Sequence, residues 1–484
     1  MMIAENCATG TLAPYQPSSS APWDRSRAQH LFRRLGFGAA PETLEQALSQ
    51  NPAALVDELL GQAAALPLPG PPEWSGWSTD DYDDFNEQRI EQYLEWTVQW
   101  LGRMHEYGFR EKLALFWHSH FATRFDTYLC PSYLYQYTTL LRQHALGNFK
   151  AFTHEMGRTP AMLIFLNGVQ NTRFDANENY ARELYELFTL GLDNGYTQQD
   201  IAETARALTG WNGINSPPFC NPITFVPLLF DNTPKTIFGQ TGNWGYDDVH
   251  DLLFAERGEQ VAQHICTKIY QAFVHPEAQQ DIVSGLAQTF LNHDFELEPV
   301  FRQLFKSEHF FDEAVIGTQI KSPVELMLGM LRESRLPVSP QRLQVTGFLS
   351  AELGQQLFAP PDVKGWIGNR DWIDTNALTG RWQSLDYFIF QAYQFHPQVL
   401  VQLAKDLSSN SIDPYEVTHA VVGHFISGGL GEPADYERAA AVFKWEVPQN
   451  YYDAGEWNLN WDTVPAQMAF LLRHIARLPE FQLS

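Results

Sequence analysis

The sequence predicts a mainly α-helical protein, a large multi-helix body with long ordered loops rich in Gly, Pro and Trp and little or no sheet. Apolar residues recur at helical spacing through most of the 484 residues, and alternating strand patterns are few. Segments rich in Gly and Pro separate the helical stretches. Hydrophobic residues make up 44% of the chain, enough for an extensive core.

The first third of the chain begins with a segment rich in Ser, Pro and Ala, residues 1–22, which predicts a flexible arm. Helical periodicity follows over 24–38, 41–65 and 85–143. The Pro- and Asp-rich stretch between the last two ranges predicts a loop.

In the middle third, a helix is predicted from Glu178 to Leu190, followed by a glycine stop. Thr197 and Asp200 have the spacing of a capping box, so a new helix begins there. Residues 212–247 lack a helical period and are rich in Asn, Pro and Gly. Loops of this length are uncommon in compact domains unless they serve a site.

The last third is predicted to be helical over 247–335 and again through the final hundred residues, with a break at 448–462. A Gly- and Trp-rich loop covers 357–381. We predict a single helical domain over 23–484, with a sub-boundary near 335–345.

The formal charge of −25 argues against nucleic acid and anionic membranes as partners, because like charges repel. No apolar run is long enough to span a bilayer. The four cysteines have no zinc-ligand spacing and do not suggest a disulfide framework. The start of the chain lacks the pattern of a secretory leader, which by itself predicts a cytoplasmic protein.

Seven blocks recur in order between about His30 and the closing LPEFQL. They are HLFRRLGFGAAP, REKLALFWHSHFAT, NENYARELYELFTLG, YTQQDIAETARALTGW, KTIFGQTGNWGYDDVHDLL, IKSPVEL and LGQQLFAPPDVKGWIGNRDWI. In this order they resemble the bacterial family called domain of unknown function 1800. The resemblance implies no settled activity. It implies that members are often exported and that their genes often neighbour those of a second uncharacterised family similar to sulfatases and alkaline phosphatases.

The helix predicted at 178–190 carries the first candidate site. At 100° per residue, Asn179, Glu183 and Glu186 share one face, and Glu183 borders an apolar stripe. A carboxylate sequestered there would suit a general base or a metal ligand. The alternative is structural, since Arg182 lies four residues from both Glu178 and Glu186 and can form ion pairs with them.

Two histidines form the second candidate. His120 falls on the apolar stripe of its helix, and His118 lies about 200° away on a wheel turning 100° per residue. The functional hypothesis places one or both imidazoles beside Glu183, as metal ligands or as a proton-transfer pair. The alternative is a core histidine bonded to a carbonyl or carboxylate.

Four tryptophans lie in or beside irregular segments, where their rings could stack on a flat ligand or simply pin the loops to the core. Three of them, Trp211, Trp366 and Trp372, are our candidate substrate-binding residues together with the amides of Asn179 and Asn376. The tryptophans are Trp211, Trp244, Trp366 and Trp372.

We therefore expect a hydrolase-like pocket in which Glu183 and His120 are catalytic and Arg182 orients a polar or anionic substrate group. The candidate ligands of zinc or another first-row divalent metal are His118, His120, Glu183 and Glu186. Loops 212–247 and 359–376 would form the walls. Two alternatives remain open: a non-catalytic partner of a phosphatase- or sulfatase-like protein, and a carbohydrate-binding protein. No nucleotide-binding loop, GxSxG elbow or HExxH motif is present.

Overall fold

The structure is a computed structural model that describes residues 9–212 and 220–484. It is 62% helical, which confirms the mainly α fold class. The α-helices of the described residues are α1 (Arg25–Leu35), α2 (Pro41–Leu48), α3 (Pro52–Ala65), α4 (Phe85–Tyr107), α5 (Phe109–His120), α6 (Phe125–Tyr128), α7 (Pro131–Gln143), α8 (Phe149–Gly157), α9 (Pro160–Phe165), α10 (Asn179–Glu183), α11 (Gln198–Ala207), α12 (Tyr246–Phe273), α13 (Gln280–Asn292), α14 (Leu297–Phe305), α15 (Pro323–Glu333), α16 (Pro340–Glu352), α17 (Thr375–Phe395), α18 (Pro397–Leu407), α19 (Pro414–Phe425), α20 (Pro433–Phe443), α21 (Gln449–Asp453) and α22 (Val464–Ala476).

The strands of the described residues form two small antiparallel sheets, both within the predicted excursion. Strand β1 (Trp211–Asn212) pairs with β2 (Thr224–Phe225), and β3 (Lys235–Ile237) pairs with β4 (Gln240–Gly242). Residues 213–219 of the excursion lie outside the described residues.

Helix starts follow the capping chemistry read from the sequence. The predicted box at α11 is confirmed, since the Thr197 hydroxyl accepts from the Asp200 N–H and the Asp200 carboxylate accepts from the Thr197 N–H. Ser322 and Glu325 form the same reciprocal pair at α15. Each box satisfies N–H groups that a helix start leaves without intrahelical partners.

The described part of the N-terminal arm packs against the segment after α14. The Tyr15 N–H donates to the Lys306 carbonyl at 2.7 Å, and the Tyr15 side chain is buried. The N–H groups of Glu308 and His309 donate back to the arm. Residues 9–22 are therefore hydrogen-bonded to the body, whereas 1–8 lie outside the described residues.

One connected cluster of buried apolar side chains extends from Tyr15 to Phe481. Helix α16 packs on α4 and α15, so packing continues across the sub-boundary predicted near 335–345, which stays a prediction. A disulfide joins Cys130, at the start of α7, to Cys220, across 90 residues. The sequence did not suggest this bond, because isolated cysteines so far apart reveal no pairing.

The helix predicted over 178–190 is not one regular α-helix. After α10 the chain forms a π-helical segment, Leu184–Thr189, in which the Leu190 N–H bonds to the Tyr185 carbonyl. Asn179 and Glu183 both lie in α10, so their predicted common face is unaffected. Glu186 lies in the π-helical segment, where a turn holds more than 3.6 residues, so the 100° spacing that placed it on that face does not apply.

Within the part of the chain that the structure describes, no helix combines the length and the apolar character needed to cross a membrane.

Candidate functional site

A cavity of about 640 Å³ opens between α5, α12, the start of α15 and the loop that precedes α17. Its size is within the usual range for small-molecule sites. The loop wall belongs to the predicted wall 359–376. Side chains that line the cavity include Lys112, Leu115, Phe116, Ser119, His120, Leu187, Lys268, Phe273, Glu325, Val363, Lys364, Trp366, Arg370, Asp371 and Trp372.

The four lysine and arginine side chains that line the cavity fall into two groups. Lys112 is bound internally, since its ammonium contacts the Glu325 carboxylate and donates to the carbonyls of Arg33 and Gly36. In contrast, Lys268, Lys364 and Arg370 have no side-chain hydrogen bond or ion pair among the described residues. Three cationic side chains thus reach the cavity without a bonded counter-charge from the protein.

Lys268 differs from the other two unpaired cations because it is only partly exposed, whereas Lys364 and Arg370 lie on the solvent side. It projects from α12, in a wall that also contains Phe116 and Leu187. Burial lowers the pKa of the Lys268 ammonium. Carrying an unpaired ammonium in this environment has a free-energy cost that a bound anion would reduce.

The loop wall is fixed to the end of α5 by a close backbone approach. The Trp366 N–H donates to the Ser119 hydroxyl oxygen at 3.0 Å, and the Ser119 hydroxyl donates to the Trp366 carbonyl at 3.3 Å. Gly365 has a φ of +76°, and a Cβ there would lie 2.0 Å from the Ser119 carbonyl oxygen. Only glycine fits this position without displacing the wall.

His120 lines the cavity and also hydrogen-bonds a backbone carbonyl of the π-helical segment. Its Nε2 lies 3.1 Å from the Phe188 carbonyl oxygen, and His264 Nε2 lies 3.2 Å from that of Leu187. Two imidazoles therefore hydrogen-bond carbonyls at the end of the segment. Burial, followed by the charge of Lys268, lowers the pKa of His120 well below its usual range, so this ring is neutral at pH 7.

His118 has a structural arrangement in which both ring nitrogens are occupied. The Phe358 N–H donates to Nε2 at 3.1 Å, so Nδ1 carries the proton and donates to the Tyr137 hydroxyl at 2.7 Å. The Tyr137 hydroxyl donates in turn to the Phe121 carbonyl. Burial lowers the pKa of His118 to about 3, and neither nitrogen has a lone pair free for a metal.

The carboxylates of the π-region lie beside the cavity and do not line it. Glu183 is half-buried. Burial, and after it the charge of the neighbouring Glu186, raises the pKa of the Glu183 carboxyl. Lys364 lies close enough for its positive charge to oppose this rise. Arg182 pairs with Glu178 at 2.9 Å and with Glu186 at 3.3 Å, as the structural alternative describes. Asn179 is partly buried in α10, and its backbone N–H donates to the side-chain oxygen of Asn177.

The candidate tryptophans separate into two places. Trp366 and Trp372 are buried in the loop wall of the cavity. Trp211 packs on Tyr246 and under the Arg158 guanidinium, away from the cavity lining. Asn376 is exposed in the first turn of α17 and does not line the cavity either.

The four candidate metal ligands are not brought together. No group of three or more His, Cys, Asp or Glu side chains in residues 9–212 and 220–484 has the arrangement to hold an ion. His118 is bonded at both nitrogens, and Glu186 is paired with Arg182. The proposed zinc-type site therefore has no support from the geometry of these residues.

The cations of the cavity were not predicted from the sequence. A usable signal existed for Lys268, because the positions three and four residues away on its helix carry no acid that could pair with it. They are His264, Ile265, Gln271 and Ala272. Lys364 and Arg370 lie inside the predicted wall loop, but no local pattern shows that they line the same cavity as Lys268 of α12.

A family model described as "Protein of unknown function (DUF1800)" matches residues 30–483. No curated protein matched the chain, and no solved structure did.

Proposed function

Because this chain belongs to the DUF1800 family of proteins of unknown function, its role has to be argued from its own site, and we propose that the cavity binds a small polar or anionic molecule. The observation that carries this proposal is the set of three cations, Lys268, Lys364 and Arg370, that line the cavity without a bonded carboxylate.

The charge of the whole chain makes that set informative. With 57 acidic against 32 basic side chains, partners for a surface cation are abundant. Lys112 has such a partner within the same cavity, and Arg182 has two nearby. Cations that line one concave surface without a carboxylate hydrogen-bonded to them are suited to an anionic group of a ligand.

The rest of the lining suits an apolar or planar part of the same ligand. Phe116, Leu187, Trp366 and Trp372 supply apolar surface around the cations. A ligand that combines an anionic group with a compact carbon skeleton would satisfy both parts of the cavity.

The test is calorimetric titration of the purified protein with phosphate, sulfate, pyruvate and benzoate, each at low ionic strength. We expect at least one to bind the wild type, with affinity at least tenfold weaker in the triple variant Lys268→Met, Lys364→Met, Arg370→Met. The control is Lys405→Met, a lysine paired with Asn460 and remote from the cavity lining. Binding of none of the four, or equal binding by the triple variant, would contradict the proposal.

Hydrolase-like catalysis by Glu183 and His120, with Arg182 orienting the substrate, is a further prediction that anion binding would make reasonable. Metal analysis of the purified protein, combined with the stability of Glu183→Gln and His120→Gln, tests the metal-dependent form. The prediction of a phosphatase- or sulfatase-like partner calls for co-purification. Quenching of tryptophan fluorescence by oligosaccharides tests carbohydrate binding at Trp366 and Trp372.

A further inference from the structure

We propose that Lys268 is a nucleophile that forms a Schiff base with a small 2-oxo acid bound in the cavity. The proposal rests on the anion-binding function above and deepens it by naming the ligand class and the reacting atom. It arises from the placement of one partly buried primary amine in a cavity that apolar side chains also line, with two exposed cations on the loop wall of the same cavity.

The Lys268 amine is accessible to a ligand and is not held by the protein. It lines the cavity and has no hydrogen bond or ion pair among the described residues. Lys112 provides the contrast within the same cavity, since a carboxylate and two carbonyls hold its ammonium. The three acceptors occupy the N–H donors of Lys112, so the protein holds this group and does not present it to a ligand.

The surroundings of Lys268 favour the neutral, nucleophilic form of the amine. Burial lowers its pKa, and no carboxylate is close enough to restore it. The nearby imidazoles of His120 and His264 are themselves neutral, because burial lowers the pKa of His120 far below its usual range and that of His264 to about 4. Nothing negative therefore stabilises the ammonium.

The other two cations supply a site for the carboxylate of the ligand. Lys364 and Arg370 lie on the loop wall, at the exposed side of the cavity. In a 2-oxo acid the carbonyl carbon is bonded directly to the carboxylate carbon, so a carboxylate in contact with these cations brings the electrophilic carbon into the same cavity. The anionic group and the electrophile of this ligand class thus match a cavity with cations outside and an amine inside.

The reaction needs no co-reactant. The amine lone pair attacks the carbonyl carbon, the C–N bond forms, and the carbonyl π pair moves to oxygen, which takes up one proton from the nitrogen to give a carbinolamine. The C–O bond then breaks, the oxygen leaves as water with the second amine proton, and the C=N bond forms. One water is released for each Schiff base, and no atom changes its overall oxidation level.

The experiment is reductive trapping with pyruvate and sodium cyanoborohydride, followed by intact-mass measurement and peptide mapping. We expect a single reduced pyruvate adduct on Lys268, formed at least tenfold faster than on Lys112 or Lys405. Adducts spread over the exposed lysines in proportion to their exposure, or an adduct absent from Lys268, would overturn the proposal.

The variant Lys268→Arg separates this inference from the proposed function, because it keeps a positive charge and removes the nucleophile. We expect it to give no adduct, which would assign the wild-type adduct to the Lys268 amine. Wild-type binding of pyruvate without trapping at Lys268 would overturn the Schiff base and leave anion binding intact. Failure of every anion to bind would remove the proposed function itself. A circular dichroism spectrum equal to wild type confirms that the variant is folded.

Discussion

Two charged regions, both in contact with α5, show opposite ways of placing cations in this protein. In the interior, the Glu111 carboxylate accepts from Arg142 at 2.7 Å, from Arg103 at 2.8 Å and from the Trp100 indole at 2.9 Å. In the cavity, Lys268, Lys364 and Arg370 have no such acceptor among the described residues. The first region is closed, and its cations share one carboxylate. The second is open: Glu325 and Asp371 also line it, but among the described residues no carboxylate is hydrogen-bonded to Lys268, Lys364 or Arg370.

Burial of a cation does not by itself indicate function. Arg142 is more deeply buried than Lys268, but it is paired with Glu111 and donates to the Thr138 carbonyl, so it serves the fold. Lys268 is less buried and has no hydrogen-bond or ion-pair partner in residues 9–212 and 220–484. The missing partner, and not the depth, marks the cavity as a place for a ligand.

The largest expected effect comes from breaking the closed region with Glu111→Gln. The change leaves Arg142 buried without a full counter-charge, which should lower the free energy of unfolding by about 3–5 kcal/mol. Chemical denaturation followed by circular dichroism measures it. The exposed Glu259→Gln is the matched control, with an expected change of about 0.5 kcal/mol or less.

The difference in free energy of unfolding between the wild type and Glu111→Gln should depend on pH, and the pKa shift of Glu111 fixes the sign of that dependence. Burial alone would raise the pKa of Glu111, but the guanidiniums of Arg142 and Arg103 outweigh it and hold that pKa below its usual value. The carboxylate therefore stabilises the fold above the ordinary Glu pKa, and this contribution disappears as pH falls through the lowered value. A stability difference between wild type and Glu111→Gln that grows on acidification would contradict this assignment.

A second comparison lies within the cavity, between Lys112→Met and Lys268→Met. Loss of Lys112 leaves the Glu325 carboxylate without its cation, at an expected cost of about 2–3 kcal/mol, because Glu325 keeps some contact with solvent. Loss of Lys268 removes an unpaired ammonium from a partly buried site, so stability should stay equal or rise by about 1 kcal/mol or less. Equal destabilisation by both substitutions would show that Lys268 has a structural partner.

The last comparison concerns the loop wall that carries Lys364 and Arg370, where we expect a small loss of stability. Gly365→Ala forces a Cβ against the Ser119 carbonyl at positive φ, so we expect a loss of about 1–2 kcal/mol and weaker binding of whichever anion the wild type binds. Gly354→Ala is the control, since Gly354 has a φ of +89° with open space around it. If both variants cost the same and bind equally, the close approach to Ser119 does not shape the cavity.

Local chemistry determined much of the architecture. Helical periodicity, the Thr197–Asp200 capping box and the Gly- and Trp-rich wall loop were all legible in the sequence, because each depends on residues close together in the chain. Periodicity failed at Leu184–Thr189, where the π-helical segment changes the angle between successive side chains. The capping of this segment by His120 and His264 joins residues far apart in sequence, so no local pattern revealed it.

From the order of residues alone it follows that this is a mainly helical member of its family, and His120, Trp366 and Trp372 could be named as candidate site residues. The three-dimensional structure was needed to show which candidates share a cavity, that His118 is bonded at both nitrogens, and that Cys130 is bonded to Cys220. These relations are pairings, and a pairing depends on distance in space. Whether a buried charge or ring nitrogen has a partner depends on groups brought together by packing, often hundreds of residues apart, and the order of residues along the chain does not encode those distances locally.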